Sequence, residues 1–251
     1  MPVKVSNRTI AFKYYNDVYN RHTIYVWNMN YDTIISKESI HKAYVDWYNS
    51  SKGKVGKYTE SYYENKLKEG NGKPGADCSG MHYKLSGYDA TAQGYYDSCI
   101  GKGPFNTLPI NNLVLLFKGQ SSKSIKHTGV YLGNGMCIHM KDSTNNCVYE
   151  SVDKHNWSAW GYANFIDYTM PWTPDKPVIT RYLKMGIKGV DVKLLQTKLN
   201  ELGYDCGKVD GDFGKKTDKA TRTFQAAKKI TADGIVGKDT CKKLGFKFEL
   251  M

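Results

Sequence analysis

A cysteine preceded by a glycine-containing run and followed by a segment of helical character is a place where a thiol can become a nucleophile. Gly75-Ala-Asp-Cys-Ser-Gly-Met-His-Tyr-Lys-Leu85 has this form. The pattern predicts a helix starting at Cys78, whose unpaired N–H groups and dipole favour thiolate, the reactive form. A buried structural cysteine is the plainer alternative. Downstream, His127-Thr-Gly-Val-Tyr-Leu-Gly-Asn-Gly-Met-Cys-Ile-His139-Met140 reads as two strands around the turn signal Gly133-Asn134-Gly135. A two-residue loop would pair Val130 with His139 and split the apolar residues over both faces. A three-residue loop pairs Gly129 with His139 and gathers Val130, Leu132, Met136, Ile138 and Met140 on one face. His127, Gly129, Tyr131, Cys137 and His139 then share the other, exposed face. The second register buries a clean apolar face and is preferred. It also sets two histidines side by side, as a base and its orienting group require. Zinc could use the same face through His127, His139, Cys137 or Cys147, but there is no HxxEH or HxH spacing, and no metal is expected. His22, His41, His82 and His155 have no comparable context.

These residues need elements to hold them. Tyr25-Val-Trp27 reads as a short strand. Ser39 to Tyr48 reads as a helix with Ile40, Tyr44, Trp47 and Tyr48 on one side, and Leu113-Val-Leu-Leu-Phe117 as a buried strand. The polar run from Ser50 to Gly75, with five glycines, reads as an insertion or long loop. Near residue 175 the composition changes: 18 of 20 tyrosines and all five tryptophans precede Pro177. Pro171-Trp-Thr-Pro-Asp-Lys-Pro177 reads as a stiff linker. Beyond it, Asp210-Gly-Asp-Phe-Gly-Lys-Lys-Thr217 and Asp233-Gly-Ile-Val-Gly-Lys-Asp-Thr240 repeat DGxxGxxT, 23 residues apart. Glycine turns, with Thr217 and Thr240 as helix caps, predict a small bundle of three helices. Its first helix carries Val192, Leu195, Leu199 and Leu202 after Asp191 as a cap. Asp210-Gly-Asp212 lacks the remaining ligands of a calcium loop.

The C-terminal segment resembles the peptidoglycan-binding domain found beside many cell-wall hydrolases. The resemblance rests on Gly189-Val-Asp-Val-Lys-Leu-Leu-Gln196, Leu199, Gly203-Tyr204, Val209-Asp-Gly-Asp-Phe-Gly214, Thr217, Phe224-Gln225, Ala232-Asp-Gly-Ile-Val-Gly237, Thr240 and Leu244. Asp77-Cys-Ser-Gly80, His127-x-Gly-Val-Tyr-Leu-Gly-Asn-Gly135 and Ile138-His139 resemble the NlpC-type, papain-like cysteine endopeptidases of cell-wall hydrolases. Trp157-Ser-Ala-Trp-Gly161 and Tyr168 extend the likeness. Thr91-Ala-Gln-Gly-Tyr-Tyr through Cys99, Lys102-Gly-Pro104 and Leu108-Pro109 are similar to phage and prophage endolysins of clostridial type. The resemblance implies Cys78 as nucleophile, His127 as general base and His139 as the residue orienting the base, a position that is acidic in some relatives. Tyr25 matches a tyrosine near the oxyanion site, and Asp77 and Ser79 match positions that flank the nucleophile and help bind the stem peptide. Asn111-Asn112 replaces the Gly-Asp of many relatives, and the loop from Lys118 to Lys126 is longer.

Composition excludes other classes. The chain has 251 residues, 40% hydrophobic and 24% charged, so it is neither disordered nor membrane-spanning. The first 20 residues carry no apolar stretch of signal-peptide type. The net charge of +12 favours polyanions, but no basic-aromatic motif points to nucleic acid. Six cysteines without a CxxC pair are expected to be reduced. The expected architecture is α+β: a papain-like cysteine peptidase domain over residues 1–170, with an antiparallel sheet packed on helices, a proline-rich linker over 171–180, and a three-helix peptidoglycan-binding domain over 181–251. The expected partner is bacterial peptidoglycan, with no nucleic acid, no membrane insertion and no cofactor. The expected activity is cleavage of the stem peptide at the D-γ-glutamyl–diamino acid bond. The alternatives are an amidase cutting before L-alanine and a non-catalytic wall-binding or phage structural protein. The expected location is the host cytoplasm before release to the wall.

Overall fold

A computed structural model describes residues 6–51 and 58–250. Gly53 and Gly56 of the expected insertion lie outside these residues. After β1 (Ser6–Asn7), the Asn7 side chain accepts the Ile10 N–H and starts α1 (Arg8–Asn20). Ala11, Tyr15 and Val18 fall on one face of α1 and are buried. β2 (Ile24–Tyr25) and β3 (Thr33–Ile34) flank β4 (Pro74–Ala76) in a small sheet. Between β3 and β4 lie α2 (Lys37–Ser50), opened by a Ser36–Ser39 capping box, and α3 (Glu60–Gly70), capped by Thr59. The expected loop is thus partly a helix. Tyr63 and Leu67 at i,i+4 pack against Ile40, Ala43, Tyr44 and Trp47, and this aromatic area outweighs the polar composition.

A 3₁₀ turn (Gly80–His82), α4 (Tyr83–Ser86) and α5 (Ala92–Asp97) follow. The main sheet comprises β5 (Gly101–Pro104), β6 (Leu113–Gly119), β7 (Ile125–Leu132), β8 (Met136–Asp142), β9 (Asn146–Ser151) and β10 (Ala159–Tyr162). It is antiparallel, in the order β5-β10-β6-β7-β8-β9. On one face Leu113, Leu115, Phe117, Val130, Leu132, Ile138 and Met140 pack against Tyr15, Met81 and Tyr95 from the helices. β11 (Ile166–Asp167) pairs with β1 and ties the end of this unit to its start.

The C-terminal unit holds α6 (Val190–Glu201), α7 (Lys215–Ala227) and α8 (Lys238–Leu244). β12 (Val178–Ile179) pairs with β13 (Lys247–Phe248) and closes it. Val192, Leu195, Leu199, Phe213, Phe224 and Leu244 form its own core. Leu202 is exposed and ends α6 rather than joining that core. The repeat has a different basis from the one its threonines suggested. Thr217 and Thr240 lie inside helices. Gln196 reaches Asp210 Oδ1, the Asp212 carbonyl and Thr217 Oγ1, and its own carbonyl accepts the Gly211 N–H. Gln225 makes the same four contacts with Asp233, Ile235, Thr240 and Gly234. Each buried amide therefore satisfies a turn whose glycine has positive φ.

The second face of the main sheet is buried as well. Val114, Leu116, Tyr131, Cys137, Val152 and Trp157 pack with Val190 and Leu194 of α6. Asp191 is not the helix cap. It pairs with Arg181 (2.7 Å), while Asp153 from the other unit accepts the Val190 N–H (2.9 and 3.0 Å). The residues after Pro171 run along the β7–β8 turn, where Val178 N–H donates to the Asn134 carbonyl (2.9 Å). Burying Val190 and Leu194 contributes about 2–4 kcal/mol, so a chain ending at Pro174 is expected to fold with its melting midpoint lowered by about 5–10 °C. Calorimetry of both chains checks this. Equal midpoints would show that docking contributes nothing, and an insoluble fragment would show that the sheet needs its partner.

Candidate active site

The parallel pairing of Tyr25 with Ala76 in β2 and β4 sets Tyr25 two positions from Cys78. The intervening Asp77 organises the turn. Its Oδ1 accepts Ser79 N–H (2.9 Å), Ser79 Oγ–H (2.9 Å) and Gly80 N–H (2.7 Å), and its Oδ2 accepts Asn28 N–H (3.0 Å). These four donors make Asp77 the tie that holds the loop, and Asp77 also lines the cavity beside Cys78. The helix expected after Cys78 is one 3₁₀ turn and one α turn, stopped at Gly87 (φ +75°). So short an element carries little dipole. Burial, and then the neighbouring Asp77, push the Cys78 thiol up to about 12, against the pull of the Thr128 and Ser79 N–H groups. The resting group is a thiol rather than a thiolate.

β7 and β8 adopt the three-residue register, with Val130 opposite Ile138 and Tyr131 opposite Cys137. Gly133 (φ +77°) and Gly135 (φ +91°) supply the left-handed backbone of the turn. At Gly129 a Cβ would come within 2.8 Å of the His139 Cβ and 2.9 Å of Trp157, so only glycine lets the layers meet. The histidine face is not exposed, as the alternation suggested: Trp157 stacks on His127 (centroids 5.6 Å) and sits edge-on to His139 (5.2 Å), which is fully buried.

His127 Nε2 lies 2.9 Å from His139 Nδ1, and His139 Nε2 lies 3.0 Å from Glu150 Oε1. Glu150 also pairs with Lys141 (3.1 Å). Its hydrogen bond to His139 first, then Lys141, hold its carboxyl down at about 2, so at neutral pH it only accepts. The tautomers follow. A neutral His139 then carries its proton on Nε2 and accepts at Nδ1, and His127 donates from Nε2. The free lone pair is then His127 Nδ1. Burial first, then His139 and His155, hold His127 well below the usual histidine range, so it rests neutral. Sequence reasoning missed Glu150. The signal was there in the alternation of β9, which sets Glu150 opposite Cys137, but only once a third strand is paired.

Cys78 and Ser79 line a cavity of about 620 Å³ with Trp27, Asn28, Asp89 and Lys126. Tyr25 is buried beside it, its hydroxyl kept protonated by burial and then by Cys78. His127 lines a second cavity, of about 540 Å³, with Lys118, Lys141 and His155; Lys126 borders both. The structure thus joins His127 to His139. It seats the Cys78 sulfur against the backbone of Thr128, the residue next to His127. Among the described residues no hydrogen bond links that sulfur to the imidazole. His155, set aside on sequence, joins the cluster, with its ring 4.8 Å from that of His139. His82 is structural: its ring lies between Tyr15 Oη (2.8 Å) and Thr128 Oγ1 (3.1 Å), fully buried.

Residues 67–164 match the NlpC/P60 family, and residues 188–244 match the putative peptidoglycan binding domain. The N-acetylmuramoyl-L-alanine amidase CwlM of Mycobacterium tuberculosis is 41% identical over 69 residues, 27% of this chain and 17% of that protein. The spore cortex-lytic enzyme of Oceanobacillus iheyensis is 42% identical over 62 residues, 25% of this chain and 22% of that protein. The chain therefore spans about a fifth of the length of these curated relatives. Among solved structures, the NlpC/p60 domain of the peptidoglycan hydrolase SagA is 23% identical over 35% of this chain and 76% of that one, with a TM-score of 0.29. The architecture is α+β, a papain-like domain followed by a helical one; residues 67–164 are similar to the NlpC/P60 family and residues 188–244 to the putative peptidoglycan binding domain.

Proposed function

We propose that this chain hydrolyses peptidoglycan, with Cys78 as the nucleophile, and that it acts as a phage or prophage endolysin, held in the host cytoplasm until release to the wall. The observation that carries the reading is the hydrogen-bonded run Glu150–His139–His127, which ends at His127, the neighbour of Thr128 whose backbone N–H meets the Cys78 thiol. His127 Nδ1 takes the thiol proton as sulfur attacks an amide carbonyl of the stem peptide. The Cys78 N–H and the Tyr25 hydroxyl receive the oxyanion. The His127 imidazolium, stabilised through His139 by Glu150, then protonates the leaving amine. Water activated by His127 hydrolyses the thioester. The bond is the one between D-γ-glutamate and the diamino acid. The C-terminal domain holds the enzyme on the wall, and the net charge of +12 speeds encounter with an anionic wall. This chemistry needs no cofactor.

Mass spectrometry of digested wall tests the bond. A new amino group on the diamino acid is expected, and one on L-alanine would make the chain an amidase. Cys78→Ala is expected to abolish lysis while wall binding persists; lysis at near the original rate would move the nucleophile elsewhere. His127→Ala is expected to cost about 10²–10⁴-fold. His139→Gln keeps an acceptor and should cost less than His139→Ala, whereas His139→Glu would set a second carboxylate against Glu150. Rates of wall lysis across this series check the order, and a His139→Ala loss exceeding that of His127→Ala would reverse the two roles.

A resting pair of neutral thiol and neutral imidazole has a pH signature. Alkylation of Cys78 by iodoacetamide, followed on its own peptide, is expected to rise about tenfold per unit between about pH 7 and 9. A rate flat across that range would reveal a resting thiolate.

A further inference from the structure

His127, His139 and His155 each offer a ring nitrogen, and these three atoms lie within 4.8 Å of one another. The group draws on β7, β8 and the segment after β9, so no spacing in the sequence announces it. From this geometry we propose that the three imidazoles form a binding site for a divalent transition metal of zinc type, and that its occupation switches off the thiol chemistry.

Tetrahedral zinc with imidazole ligands at about 2.0–2.1 Å sets nitrogens about 3.4 Å apart. The His127–His139 pair, at 2.9 Å, needs to open slightly, and His155 needs to swing inward. His155 is half-buried, and among the described residues its ring makes no hydrogen bond; only ring contacts with His127, His139 and Trp157 hold it, so a swing breaks no hydrogen bond. Beyond the first ligands, His139 Nε2–H donates to the Glu150 carboxylate at 3.0 Å. A carboxylate behind a ligating histidine fixes the tautomer and raises the basicity of the metal-facing nitrogen. The cavity of about 540 Å³ in front of His127 and His155 gives entry and leaves the fourth position to water or an anion. Lys118 and Lys126 line that cavity and favour an anion there. Lys141 is already paired with Glu150. The metal would take the lone pairs of His139 Nδ1 and His127 Nε2, and the proton of His127 Nε2 would pass to His127 Nδ1, occupying the lone pair that serves as the base. The hydrogen bond that sets the His127 tautomer is then lost, and with it the base. The inhibitory part rests on the reading of Cys78 and His127 given above; the binding part does not.

Titration of the full chain with Co²⁺ is expected to give one equivalent with the visible absorption of a four- or five-coordinate ion, displaced by Zn²⁺. His155→Ala and the shape-keeping His155→Gln should weaken binding by about tenfold or more, and Zn²⁺ inhibition of each variant is read against its own metal-free rate. Glu150→Gln should weaken binding by about 10–100-fold. Cys78→Ala should bind as tightly as the original chain. Zn²⁺ should inhibit lysis by the original chain, reversibly with a chelator, and should not inhibit the His155→Ala variant at the same concentration. Absence of the Co²⁺ absorption, unchanged affinity in both His155 variants, or loss of binding in Cys78→Ala would overturn the site. Equal Zn²⁺ inhibition of the original chain and His155→Ala would overturn the switch. A Cys78→Ala variant that still lyses walls would overturn the thiol reading while leaving the metal-binding result standing.

Discussion

A slip of one residue between β7 and β8 would carry His127 and His139 to opposite faces of the sheet. The three-residue turn, with left-handed backbone at Gly133 and Gly135, prevents this. It fixes Tyr131 opposite Cys137 and Val130 opposite Ile138, and so sets both rings on one side with their nitrogens 2.9 Å apart. β9 adds the third member by pairing Cys137 with Glu150. The direction of every proton in the run then follows from one acceptor-only carboxylate. Registry places the rings, and Glu150 decides which nitrogen of His127 is free.

The same sheet explains why the two halves of the chain sit together. Its helix-facing side is closed by α1, α4 and α5, and the opposite side carries Tyr131, Cys137 and Trp157, which need cover. α6 supplies it with Val190 and Leu194, and Asp153 accepts the first N–H of that helix in return. The turn that sets the register therefore lies under the C-terminal unit. Burial of the histidine side, with Trp157 packed on both rings, keeps His127 neutral and so able to accept a proton. Burial works the other way on Cys78, where it favours the thiol. The pair rests uncharged, and proton transfer belongs to the encounter with substrate.

Much of this was legible from residue types. Apolar alternation on both sides of two glycines identifies the β7–β8 register, and the DGxxGxxT repeat announces the helical unit. What escaped was non-local or masked by composition. Glu150 and His155 matter only once a third strand and the following turn come alongside. α3 hides in a polar run because two tyrosines and a single leucine, Tyr62, Tyr63 and Leu67, carry its packed face. The helix after Cys78 is cut short by Gly87, which outweighs the helical look of Met81 to Leu85. Thr217 and Thr240 resemble caps, yet their hydroxyls meet glutamines from the preceding helix, a contact that sequence spacing does not announce.

The central claim is that an acyl group passes through the sulfur of Cys78. Rapid acid quenching of the full chain on a soluble stem-peptide fragment, followed by mass analysis of the peptide bearing Cys78, measures this directly. A thioester adduct on Cys78 equal in mass to the acyl part of the substrate is expected, removed by hydroxylamine and longer-lived in His127→Ala if any forms there. Substrate cleavage at full rate with no adduct on Cys78 at any quench time would contradict it.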